Sequence, residues 1–288
     1  MRRFLLAAAM FATMTCAQAA DMPDFLRGGF GPPVVRNWAG WYVGGQADYS
    51  SANIDLGHAQ QSATNFILRN TVIQAPVAQL ELFGRQHTQG PGFGAFVGRN
   101  WQWEDVVLGV EANYVHLNNL SAFEQNSIAR RIDNPGGQIL PPQHTDRWDV
   151  TLSGTASLQI KDVMTFRGRA GWACGDFLPY MFGGLAVGRL AVSRSISLNA
   201  NEFDEFSTTD PVTHLPITLD TPLSTTTMSQ MDARGNNYAI GWTAGLGTEI
   251  AIFGNLFARV EWEYVRFISV KNMQSEMNSG HLGIGYKF

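Results

Sequence analysis

The chain has 288 residues, of which 45% are hydrophobic and only 15% charged, with 18 Phe, 8 Trp, 7 Tyr and 30 Gly and a formal net charge of −4. That balance argues against a nucleic-acid binder, which needs a basic patch. Beyond the first twenty residues no run of 18 apolar residues offers a membrane-spanning helix. Few charges with many aromatics and glycines suit a membrane β-barrel, whose hydrophobicity hides in alternation, or a secreted β-sandwich.

Arg2 and Arg3 precede an apolar stretch, Phe4 to Met14, that is too short to cross a bilayer. Ala17-Gln18-Ala19 follows as a small-x-small cleavage pattern, so residues 1–19 are expected to be a signal peptide. Cys16 raises the alternative of a lipoprotein signal, but Met14 and Thr15 fit a lipobox poorly. Removal of residues 1–19 would take Cys16 with it, so no intramolecular disulfide is expected. Residues 20–37 are rich in Gly, Pro and charge and are expected to form a periplasmic lead-in.

From residue 38 the chain alternates. Successive side chains of a strand point to opposite faces. In Trp41 to Tyr49, Trp41, Val43, Ala47 and Tyr49 oppose Tyr42, Gly44, Gln46 and Asp48. Gly92 to Trp103 alternates less regularly. In Val106 to His116, Leu108, Val110, Ala112 and Tyr114 oppose Gly109, Glu111 and Asn113. Thr165 to Cys174 and Pro179 to Arg189 are again less regular. Ile240, Trp242, Ala244, Leu246 and Ile250 oppose Gly241, Thr243, Gly245 and Glu249. Leu256, Ala258, Val260, Trp262 and Tyr264 oppose Arg259, Glu261 and Glu263. The last segment sets Leu282, Ile284, Tyr286 and Phe288 against Gly283, Gly285 and Lys287.

Segments of about ten alternating residues match the length of a tilted membrane strand. Full charges on the second face would be costly in a soluble core, so the apolar face is assigned to lipid. Trp41, Tyr49, Trp101, Trp103, Tyr114, Trp172, Trp242, Tyr264 and Tyr286 then form aromatic girdles. The inward face collects Asp48, Glu111, Glu249, Glu261 and Glu263 with Arg167, Arg169, Arg259 and Lys287. An eight-stranded barrel is just wide enough for side chains to fill. Opposite charges there are expected to pair as a plug, with an ion-selective channel as the competing reading.

Short connections at Glu104-Asp105, Gly175-Asp176 and Phe253-Gly254-Asn255 alternate with long polar stretches, roughly 51–90, 118–149 and 192–237. The expected fold is all-β: a single eight-stranded antiparallel up-and-down transmembrane barrel over residues 38–288, with short periplasmic turns and long, mobile extracellular loops. Trp148 to Ile160 also looks extended and either lengthens the fourth strand above the membrane or forms an extra extracellular hairpin capped at Lys161-Asp162.

The residues resemble a family at this point. Trp38-Ala39-Gly40-Trp41-Tyr42-Val43-Gly44, Gly98-Arg99-Asn100-Trp101-Gln102, Phe166 to Trp172, Phe177-Leu178-Pro179-Tyr180 with Gly183-Gly184, Ala258 to Trp262 and Gly285-Tyr286-Lys287-Phe288 are similar to motifs of small alphaproteobacterial outer-membrane surface antigens. That family is related in architecture to OmpA-like eight-stranded barrels. The resemblance implies a porin-like envelope barrel in the outer membrane, contacts with host or environmental ligands through its loops, and a terminal Phe288 read by the barrel assembly machinery. Lipid is the expected partner, and no cofactor is expected. Arg99 departs from the family's usual aromatic; alternation aims it at lipid, so it is expected to snorkel or to sit beside a bulge. The histidines His58, His87, His116, His144, His214 and His281 are scattered, without a metal-ligand spacing or a catalytic motif, so no enzyme is expected.

Overall fold

The computed structural model describes residues 36–269 and 273–288; the expected signal peptide and most of the expected lead-in lie outside them. Eight strands close into one barrel in chain order, every neighbouring pair antiparallel. They are β1 (Gly40–Asp55), β2 (Arg85–Trp103), β3 (Val106–Asp133), β4 (His144–Trp172), β5 (Phe177–Thr209), β6 (Pro216–Phe253), β7 (Leu256–Phe267) and β8 (Gln274–Lys287). Closure runs from Tyr42 opposite Lys287 to Asp55 opposite Gln274. The turns at one end are short. Gly175 (φ 61°) and Gly254 (φ 54°) take the left-handed backbone there without a Cβ penalty, and Glu104 (φ 52°) supplies the third.

The lower half follows the alternation. Trp41, Tyr49, Trp101, Trp103, Tyr114, Trp172, Trp242 and Tyr286 are exposed on the outer wall. Tyr264 stands beside Trp242 with ring centroids 5.3 Å apart. Arg99 also points outward, between Trp41 and Trp101, and no register shift interrupts β2 near it.

The upper half corrects the expectation of mobile loops. Most of 118–149 and 192–237 is strand, so β3 to β6 rise far above β1, β7 and β8 as one tall sheet. Trp148 to Ile160 lengthens β4 and pairs with both β3 and β5. The stretch 51–90 is strand at both ends and carries two short helices, α1 (Gln61–Ile67) and α2 (Gln74–Ala78).

The physical reason is an exchange of chemistry between the two faces. In β5 the even positions point inward throughout, from Tyr180 and Phe182 to Ile196, Leu198 and Ala200. The odd positions are apolar below, as at Met181 and Leu185, and become Ser193, Ser195, Ser197 and Asn199 above. Below, lipid is the apolar phase; above, water surrounds the sheet and the apolar phase must be inside. Bulges mark the change. Register shifts fall between His116 and Leu120, between Ile160 and Asp162, and between Leu190 and Val192. The first two move the inward parity of β3 and of β4, whereas β5 keeps its even positions inward across the third.

The upper interior is a dry core. Leu120, Leu152, Leu158, Ile160, Ile196 and Leu198 are buried, and Leu56, Leu68, Ile73 and Leu82 from the helical segment close it from above. Polar bonds fix that cap. Arg194 donates to the Ala59 carbonyl at 2.8 Å and to Ser62 Oγ at 2.7 Å. Asn126 Nδ2 donates to the Leu82 carbonyl at 3.0 Å.

On the outside of the tall sheet, Arg131 and Arg147 both pair with Glu205, at 2.8 Å and 2.9 Å. Their hydrogen bonds hold Glu205 below the ordinary carboxylate range. A depressed carboxylate adds stability above its unfolded value of about 4.3 and loses it as pH falls through the folded value. The Tm gap between the wild type and Glu205→Gln should therefore narrow as pH drops from 6 to 3. Thermal unfolding followed by tryptophan fluorescence checks this; a constant gap would contradict it.

Candidate functional site

The lower lumen is built from charged inward positions on every strand except β2 and β5, lined by aromatic rings. Glu111 on β3 is its centre. It accepts hydrogen bonds from Tyr42 Oη at 2.7 Å, from Arg259 Nη1 at 2.9 Å, from Arg169 Nη1 at 3.3 Å and from Arg167. Glu261 accepts from Arg167 Nη2 at 2.7 Å and from Tyr180 Oη, with Arg259 Nη2 at 3.3 Å. Glu249 accepts from Arg169 Nη1 at 2.7 Å. All of these carboxylates and guanidinium groups are buried.

Each arginine also lies over a ring. Arg259 is 3.4 Å from the Phe96 centroid, Arg169 is 3.8 Å from Tyr180 and Arg167 is 4.0 Å from Phe182. Cation–π contact and charge-assisted hydrogen bonds thus act on the same groups. Alternation explains the assembly: Arg167 and Arg169 are two apart on β4, Glu261 and Glu263 two apart on β7, so each pair shares the inward face.

The second cluster is formed around His281. Its Nε2 is 3.0 Å from Glu263 Oε2 and its Nδ1 is 2.8 Å from Asp48 Oδ1. Thr243 Oγ1 donates to Glu263 at 2.7 Å, and Ser50 Oγ donates to Asp48 at 2.6 Å. Gln46 links the clusters, accepting from Arg259 Nη2 at 2.6 Å.

Eight of the nine inward charges expected from sequence therefore meet: Asp48, Glu111, Arg167, Arg169, Glu249, Arg259, Glu261 and Glu263. Lys287 does not. It shares their face by parity, but it is the last residue of β8, and its Nζ reaches the Asn37 carbonyl at the lower mouth. A residue at the strand end has water within reach and no need of the interior. His281 stands where Lys287 was expected, facing two carboxylates. Sequence reasoning passed it over for lack of a placed acid, although strand parity aims it inward. Tyr42 was placed on the inward face, but the inward rings Tyr180, Phe96 and Phe182 were missed, because inward aromatics carry no signal when outward ones are being sought.

Below this layer Trp38, Val107, Leu178 and Phe257 fill the barrel floor. The interior is thus an aromatic floor, a charged middle and an apolar top. The chemistry available to it is the pairing of opposite charges within the barrel. Among the described residues no group of three or more His, Cys, Asp or Glu side chains is arranged to hold a metal ion.

Comparison with known proteins identifies the family. The model of the outer membrane protein beta-barrel domain matches residues 4–288. The chain is 24% identical over 195 residues to the 25 kDa outer-membrane immunogenic protein of Brucella ovis, covering 68% of this chain and 62% of that protein. It thus spans less than two thirds of that relative's length. It is 24% identical over 260 residues to a 22 kDa outer membrane protein of Rhizobium leguminosarum bv. viciae, covering 88% and 79%. Among solved structures, Neisserial surface protein A matches at 13% identity and a TM-score of 0.32, covering 87% of this chain and 98% of that one. Ail of Yersinia pestis matches at 9% identity and a TM-score of 0.30, covering 87% and 99%. With apolar strands outside, paired charges inside and the family model over nearly its whole length, the chain belongs to the outer membrane protein beta-barrel family and is an integral barrel of the Gram-negative outer membrane.

Proposed function

We propose that this protein is a sealed, non-enzymatic barrel that presents its extracellular sheet and helical cap for surface contacts. The observation that carries the reading is the filled interior: Glu111, Glu261 and three arginines occupy the lower lumen, and an apolar core under α1 and α2 occupies the upper. A conducting pore favours a ring of one sign around open water; here opposite charges meet in a barrel of the width that side chains fill. The surface role is supported by the β5–β6 hairpin tip, where Val212, Leu215, Ile217 and Leu219 stand exposed beyond the rest of the sheet. Apolar side chains gathered on an outer surface mark interaction sites, read here as contacts for host or environmental partners. The immunogenic Brucella relative suits a protein whose outer surface is met by other molecules. Phe288 is proposed as the signal read by the barrel assembly machinery.

Planar-bilayer recording tests the seal. Purified barrel should give no steps above the lipid baseline. Reproducible single-channel steps from heat-modifiable, monodisperse protein would replace this reading by that of a passive small-solute porin.

A further inference from the structure

Neither the filled lumen nor the extracellular sheet accounts for Arg99. It is exposed on the lipid-facing side of β2, four residues before that strand ends at Trp103. With about 3.3 Å per residue and a tilt of about 45°, its Cα lies roughly 9 Å above the periplasmic turn. A charge on the lipid face costs about 2–4 kcal/mol at the midplane and about 0–1 kcal/mol near an interface. Arg99 is close enough to the interface for its guanidinium to reach the phosphate layer.

Two tryptophans hold it. The guanidinium carbon is 5.5 Å from the Trp41 ring and 5.2 Å from the Trp101 ring. Among the described residues none forms an ion pair with Arg99. Its hydrogen-bonding capacity faces the membrane.

A groove of about 420 Å³ opens beside it on the outer wall, lined by Trp41, Val110, Ala112, Phe166 and Gly168 with Arg99 at its edge. The ladder explains the depression. Arg99 pairs with Val110, Val110 with Gly168, and Gly168 with Gly183. The row therefore ends in two positions without side chains. A Cβ on Gly168 would meet nothing nearer than the Gly183 carbonyl oxygen at 4.0 Å, so no packing need dictates glycine there. Glu111 and Arg167 also border the groove, but their side chains are paired inside the lumen, so an outer apolar trough with the Arg99 guanidinium beside it is complementary to an acyl chain joined to a phosphate.

We propose that Arg99, flanked by Trp41 and Trp101, binds the phosphate of a periplasmic-leaflet phospholipid whose acyl chain lies along the Gly168 groove. The arginine supplies a charge-assisted donor fork, the indoles shield it from water, and the glycines make room for the chain.

The test uses the full barrel folded into vesicles of phosphatidylethanolamine and phosphatidylglycerol, extracted into maltoside and examined by native mass spectrometry. The wild type should retain a phospholipid adduct of either headgroup through extensive detergent washing. Arg99→Leu should lower its occupancy about tenfold, the loss of one charge-assisted contact. Gly168→Leu, which keeps the charge and fills the trough, should lower it as well. A second readout is stability. In phosphate-free maltoside Arg99→Leu should leave the unfolding midpoint nearly unchanged; in phospholipid vesicles it should lower it, because only there does a phosphate pair with the guanidinium. A wild type that retains no phospholipid, or an Arg99→Leu variant that retains as much as the wild type, overturns the proposal.

Discussion

Replacing Arg259 by methionine should cost the barrel about 3–5 kcal/mol of unfolding free energy, because it leaves buried carboxylates without their counter-charge. Arg259 is fully buried, donates to both oxygens of Glu111, and lies within 3.3 Å of Glu261. Methionine keeps most of the volume over the Phe96 ring, so cavity formation contributes little and the loss reports the charge. The control is the combined variant Arg259→Met with Glu111→Gln. Removing one carboxylate along with the guanidinium restores the balance of the site, and well-packed neutral replacements of buried ion networks are often tolerated. Most of the lost stability should return. Denaturant unfolding in phospholipid vesicles, followed by tryptophan emission and by the heat-modifiable gel shift, measures both. A single-variant loss below about 1 kcal/mol would mean that the lower lumen is hydrated enough to screen its charges.

The same residues indicate what could be read from sequence. Lower-barrel parity was legible because lipid forces one face to be apolar and the closed ladder forces period two. Hence Glu111, Arg167, Arg169, Glu249, Arg259, Glu261 and Glu263 were all aimed inward from sequence alone, and they meet. Their partners were not legible, since register across strands decides that Glu111 of β3 lies opposite Arg167 of β4. The tall sheet was hidden for a different reason. Above the membrane the outer face turns polar, so Ser193, Ser195 and Ser197 look like a loop composition, and the bulges near Lys161 and His116 break the alternation where it would have been followed. The inward row Ile196, Leu198 and Ala200 still carried period two. A reading that allowed the two faces to exchange chemistry at the membrane surface would have found the strand.

That exchange divides the molecule into two interiors, and Leu198→Asp should separate them. Leu198 lies opposite Leu152 on β4 and Met228 on β6, and both leucines are fully buried in the upper core. Truncating such a leucine to alanine costs about 2–5 kcal/mol, and a carboxylate without a counter-charge adds its desolvation to that. The charges able to answer it are distant in kind: the lower network is already paired within itself, and Arg194, four residues back on the same face, is bonded to Ala59 and Ser62 of the cap. Unfolding should therefore run through the segments that share this core. Protease added outside intact vesicles should cut the variant within 118–160 and 192–237 under conditions that leave the wild type whole. The lower barrel has its own filling and lipid around it, so the protected fragments should still shift on heating. Wild-type resistance in the variant would mean that the upper core contributes little to holding the sheet upright. Loss of heat modifiability would mean that the two interiors unfold as one unit, and that the apolar cap helps to support the charged lumen below it.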